Sequence, residues 1–329
     1  MRFLKSEAGA VVLWLLGTIL LAASVFPWVY RLGQNLATEA ANKDLSPILE
    51  SVGASAAKAD LGTYFSRSLY LAVLVLLPVL VIRLKKIRKS GGSQPSAVSV
   101  LPEPPSWRTR IIHLLVSFAL ATALLWGLGL GLEAAGAFSA DPTPPAISKV
   151  LKKSLIAAIL AGIIEEWLFR GLLLGVWLRI AKPMTALLSV SFIFAVVHFL
   201  QPPADYPIAD PAVLSAGFQL LGGILSHFAD PRFIAAELAL LFVLGIVLGS
   251  NRLRTGSLCV PIGLHAGFVF AFKSFNLLYD NATTSLCPLW IGESLRSGLL
   301  PLATLILTGA ICHFVFRARK QPNKHPVSD

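Results

Sequence analysis

Eight apolar stretches, at roughly 8–30, 68–83, 111–133, 149–178, 183–200, 232–250, 257–278 and 299–316, dominate this 329-residue chain. An α-helix rises 1.5 Å per residue, so about 20 such residues cross the roughly 30 Å of hydrocarbon in a bilayer. Inside that layer each backbone N–H and C=O needs a partner, which leaves only helices and closed barrels. Continuous apolar runs of this length read as spanning helices. The expected fold is therefore all-α: a polytopic membrane protein with about eight transmembrane helices in one bundle. Composition agrees, with 55% hydrophobic and 14% charged residues against about 45–50% and about 25% in soluble chains. A disordered chain, a collagen-like fibre and a small disulfide scaffold are excluded.

The runs differ in quality. The second is short, bounded by Arg67 and Arg83 and interrupted by Pro78. The first follows Arg2 and Lys5 in the manner of a signal peptide, but Glu7 and the length of the run mark it as a retained span. With the N-terminus inside, the inner segments hold 17 Lys and Arg and the outer segments nine. That asymmetry places both termini in the cytoplasm of an integral cell-membrane protein. The net charge of +11 then belongs to loops facing lipid headgroups, and nucleic acid is not an expected partner. Residues 84–110, rich in Lys, Arg, Ser, Gly and Pro, read as a flexible cytoplasmic linker. It separates two N-terminal spans (1–83) from a membrane bundle (111–317), and 318–329 form a cytoplasmic tail. Between 201 and 231, Ala212–Phe228 is apolar enough to lie along the outer membrane surface. Cys259, Cys287 and Cys312 show no zinc or haem spacing, and no disulfide is expected.

Ionisable groups within a membrane are costly, so each is a functional candidate. The densest set is Glu165-Glu166-Trp167-Leu168-Phe169-Arg170 in the fourth run. Glu166 and Arg170 stand four apart with the acid first, the favourable order for an ion pair. Glu165, about 100° away around an α-helix, needs a different partner. His198 ends the fifth run, four residues after Phe194, and His265 lies in the seventh. Counted from the inner helix ends, Glu165 and His198 sit roughly 20–25 Å deep and His265 roughly 16 Å deep. Three helices can thus converge on one polar cavity. A carboxylate beside an imidazole orients a water and takes its proton, and a further imidazole supports the oxyanion that develops.

These residues resemble the three motifs of the CAAX protease and bacteriocin-processing family, also called ABI or type II CAAX prenyl endopeptidases. The resemblance rests on Glu165-Glu166-x-x-x-Arg170, Phe194-x-x-x-His198 and the later His265, and covers a core at about 150–277. It implies an eight-helix bundle with a cytoplasm-facing cavity and a metal-independent glutamic intramembrane endopeptidase without a cofactor. Its substrate would be a membrane-associated protein or peptide. Glu165 would be the general base, His198 its water-binding partner and His265 part of the oxyanion site, with Glu166 and Arg170 fixing the first glutamate. One position departs from the pattern: Val269 stands where the family often has Asn or Asp four residues after the last His. Lys273, a turn beyond on the same helix face, is a candidate substitute for the missing donor.

Two other readings compete. A non-catalytic membrane adaptor or immunity protein would use the same fold without chemistry, which Val269 favours. A zinc protease would use Glu and His as ligands, although no HExxH pattern is present. A transporter is disfavoured, since no broken helices recur in two repeats. The remaining histidines, Glu237 and the basic run from Arg83 to Lys89 are read as span-end or headgroup-facing residues.

Overall fold

The computed structural model describes residues 6–42, 46–90, 101–202, 206–227, 231–282, 290–292 and 294–316. In order they form α1 (Glu7–Asn42), α2 (Pro47–Ala57), α3 (Leu61–Ser90), α4 (Trp107–Ala134), β1 (Phe138–Ala140) and α5 (Ile147–Leu160). Then follow α6 (Leu174–Trp177), α7 (Pro183–Val197), α8 (Ala216–His227), α9 (Pro231–Thr255), α10 (Cys259–Phe275), β2 (Tyr279–Asn281) and α11 (Leu299–Val315). Among the described residues four helices are long and apolar enough to cross a bilayer, Glu7–Asn42, Leu61–Lys89, Trp107–Ala134 and Ala235–Thr255. The shorter apolar helices Pro183–Val197, Ala216–Ser226, Cys259–Phe275 and Leu299–Val315 accompany them. The protein is an all-α polytopic membrane protein.

By contact the chain divides into two compact units, Met1–Gln94 with Val196–Ile234, and Pro95–Ala195 with Ala235–Asp329. In the first, α1 and α3 pair side by side, and the Glu7 carboxylate at the start of α1 accepts from Arg88 near the end of α3 at 3.1 Å. The second span is longer than the apolar run suggested, because polar residues continue the helix at both ends and Pro78 is held within it. Asp60 caps its start: Oδ1 accepts from the Thr63 backbone N–H at 2.7 Å, and bonding from Thr63 holds the Asp60 carboxyl below its usual range. Helix α1 is about 54 Å long, more than the hydrocarbon requires. Its polar last turns carry α2, an element the hydropathy pattern did not signal. The segment expected along the outer surface forms α8. Its Leu220 and Ile224 are fully buried in a cluster with Ala23, Phe26, Tyr64 and Phe65.

In the second unit α10 packs along α4. A Cβ on Gly263 would overlap the Ser117 hydroxyl and the Leu114 carbonyl, and one on Gly267 would lie 2.5 Å from the Phe118 carbonyl oxygen. The Gly263-x-x-x-Gly267 pair therefore lets the two backbones touch, as small residues do in membrane helix pairs. Thr122 Oγ1 donates to the Gly267 carbonyl at 3.3 Å and Trp126 Nε1 to Ser274 Oγ at 2.9 Å. Beyond that seam an aromatic cluster of Trp126, Phe138, Phe275 and Tyr279 supports a short antiparallel ladder, β1 with β2, in which Ser139 faces Asp280. The fourth apolar run is one rod. Val150, Ser154, Ala158 and Gly162 are buried at every fourth position. Gly162 lies against α10, where a Cβ would be 3.0 Å from that of Ala266.

Candidate active site

The rod changes its winding where the charged residues lie. From Ala161 to Glu165, and again from Trp167 to Leu173, it adopts the wide π form. Such turns are rare and recur at functional sites. A wider turn separates successive side chains by less than the 100° of an α-helix, so neighbouring residues can address one target. Glu165 and Glu166 do so here.

The target is His265. Its Nδ1 lies 2.8 Å from Glu166 Oε1, and its Nε2 lies 3.9 Å from Glu165 Oε2. An ionised carboxylate can only accept, so Nδ1 carries the proton of that hydrogen bond. The ring is thereby held with Nε2 toward Glu165. Glu166 is fully buried, and the same Oε1 accepts from Arg170 Nη1 at 2.8 Å. Arg170 is 2% exposed, and its Nη2 donates to the Gly245 carbonyl of α9 at 3.3 Å. Gly245 lies against Ser191 of α7, where a Cβ would come within 2.7 Å of the serine Cβ. The expected ion pair is thus present, and it also carries the imidazole. The Glu165 side chain keeps 26% of its surface, so of the two glutamates it is the accessible one.

Phe194 of α7 is fully buried. Its ring centroid is 4.2 Å from the Arg170 Cζ and 5.8 Å from the centroid of the His265 ring. Val269 is half-buried one turn beyond His265, and Lys273 is exposed two turns beyond it, about 12 Å along the axis. His198 follows the last residue of α7 and falls with the first unit. The second unit therefore brings together Glu165, Glu166, Arg170, Phe194 and His265. The Gly245 carbonyl was not among the sequence candidates; its signal was Gly245-x-x-x-Gly249, a second small-residue pair on a membrane helix. Among the described residues no group of three or more His, Cys, Asp or Glu is arranged to hold a metal ion. Cys287 lies outside the described residues.

No curated protein and no solved structure matches the chain. Residues 147–271 match the family model described as type II CAAX prenyl endopeptidase Rce1-like. That interval contains both glutamates, Arg170, Phe194, His198 and His265. Over this segment, a little over a third of the chain, the protein is similar to the Rce1-like type II CAAX prenyl endopeptidases.

Proposed function

We propose that the protein is an intramembrane endopeptidase of the CAAX-protease type in which Glu165 activates a water. The observation that carries this reading is the pair of acceptors facing each other across 3.9 Å, Glu165 Oε2 and His265 Nε2. That gap is too long for a direct hydrogen bond. A single water donating to both at about 2.8 Å would subtend about 90°, close to its own bond angle. Glu165 takes one proton as the water oxygen attacks the amide carbonyl carbon. The same proton then passes to the departing amine nitrogen, which breaks the C–N bond and regenerates the carboxylate. Glu166 and Arg170 fix the imidazole while this happens. His198, paired with Glu165 by the motif pattern, is the second water partner in the proposal, and the enzyme needs no metal. Both termini face the cytoplasm, and the substrate is a membrane-associated protein or peptide.

The test is cleavage by purified protein in lipid nanodiscs, with new peptide termini identified by comparing membranes of cells that carry wild type or Glu165→Gln. Glu165→Gln preserves size but cannot take a proton, so the termini should vanish, and His198→Ala should do the same. Chelators should leave turnover unchanged; loss restored by zinc would convert the reading to a metalloprotease. One observation favours the adaptor reading: Val269, half-buried beside His265, supplies no donor to an oxyanion. A missing donor costs about 10²–10³ in rate, so Val269→Asn should accelerate a slow protease. If wild type, Val269→Asn and Glu165→Gln all leave the same termini, the adaptor reading stands.

A further inference from the structure

Arg170 is a cation buried in the second unit, and it donates to a carboxylate oxygen shared with His265 and to one backbone carbonyl. What lies against the guanidinium is aromatic. Phe194 places its ring centroid 4.2 Å from Cζ, and Phe169 places its own at 5.9 Å. The two rings meet edge to face at 5.1 Å and 90°, so Phe169 holds Phe194 in place. The Phe194 ring also meets the His265 ring at 79°. A cation within about 6 Å of a ring centroid is attracted by the negative face of the ring, and most strongly where water is excluded.

We propose that Phe194 is a positioning residue: through the face of its ring it holds the Arg170 guanidinium, and through Arg170 it sets the Glu166–His265 hydrogen bond that aims Nε2 at Glu165. The ring supplies negative potential without being a hydrogen-bond acceptor, so it does not compete with Glu166 Oε1 for the Arg170 N–H groups. A carboxylate or amide at this position would. An aliphatic side chain would fill the space and leave the guanidinium without that potential, free to draw Glu166 away from the imidazole. The idea deepens the proposed peptidase mechanism and rests on it for its kinetic arm only.

Phe194 is replaced by phenylalanine analogues bearing one, two and three fluorines, which change ring size little and weaken its negative face stepwise. In nanodiscs the first readout is the nitrogen and proton resonance of His265 Nδ1–H, observed by selective histidine labelling. It should move progressively with fluorine number in the wild-type background and stay fixed in Arg170→Met. The second readout is peptide cleavage: kcat should fall in step, about tenfold at three fluorines, with KM within twofold. A resonance indifferent to fluorine, or one that moves equally without Arg170, overturns the proposal and leaves Phe194 as packing. A stepwise resonance with unchanged kcat in an active enzyme also overturns the positioning role. A stepwise resonance in a wild-type protein that cleaves nothing upholds the Phe194–Arg170 link and overturns the peptidase reading instead.

Discussion

At the scale of single residues, one oxygen of Glu166 serves two donors, Arg170 Nη1 and His265 Nδ1, each at 2.8 Å. Glu166 and Arg170 at a spacing of four were legible in the sequence as an ion pair, and they form one at 2.8 Å. That the same Glu166 oxygen also binds His265 was not legible, because that contact joins residues 99 apart. Nor was the common partner of both glutamates, since ideal α-helical geometry sends adjacent side chains apart. The shared oxygen gives the ion pair an asymmetric energetics. Removing Arg170 strands a buried carboxylate, a loss of about 3–5 kcal/mol, whereas replacing both charges by neutral groups of similar size is far less costly. Arg170→Ala should lower thermal stability in nanodiscs sharply. Glu166→Gln combined with Arg170→Gln should recover much of it while leaving peptide cleavage impaired, because an amide at position 166 no longer fixes the proton on Nδ1. Equal melting temperatures for the single and double variants would show that the charges do not depend on each other.

At the scale of elements, helices with long apolar runs were legible and their ends were not. Hydropathy stops at Arg83, whereas α3 continues to Ser90, because a basic helix end is satisfied by headgroups and by Glu7. Helix α2 escaped because it is held by packing of Gly53 on Leu36 and Ala40 of α1, and the β1–β2 ladder because it pairs residues distant in sequence, Phe138 with Asn281. The π winding escaped for a different reason: a hydrophobic run is equally continuous with either winding. Small-residue spacing was visible, but which helix it faced was not. Gly263 and Gly267 form the α10 face that meets α4, and His265, two residues from each, projects from the other side toward Glu166, so that seam sets where the imidazole stands. Gly267→Ala would push a methyl group to 2.5 Å from the Phe118 carbonyl and 2.9 Å from Ala121 Cβ. Overpacking of this kind costs about 1–3 kcal/mol. A fall in melting temperature should accompany a loss of cleavage larger than the lost stability explains. Gly127 on α4 is the control, since a Cβ there meets nothing within 4 Å. Gly127→Ala should be neutral or stabilising by up to about 1 kcal/mol, because alanine is the better helix former. If the two substitutions act alike, α4–α10 packing does not position the site.

At the scale of the whole molecule, function depends on which side of the membrane each helix end faces. The count of 17 inner against nine outer Lys and Arg takes no account of helix boundaries, and the boundaries sharpen it. Arg88 and Lys89 fall in the last turn of α3, and Arg252 and Arg254 in the last turn of α9. Basic side chains there oppose the negative ends of the helix dipoles and can reach lipid headgroups. Trp28 and Tyr70, 60% and 63% exposed, lie toward the opposite ends of α1 and α3, where interfacial aromatic residues are expected. Both features fit the orientation proposed above, with the start of α1 and the end of α3 inside. Single cysteines substituted in a background without Cys259, Cys287 and Cys312 test it in intact cells. A membrane-impermeant maleimide should label Thr38→Cys and Ser51→Cys from outside. It should reach Ser6→Cys and Lys89→Cys only after the membrane is opened. The reverse pattern would place the termini outside and would turn the cavity of the proposed peptidase away from cytoplasmic substrates. Labelling of all four from one side would remove α1 and α3 from the set of spans.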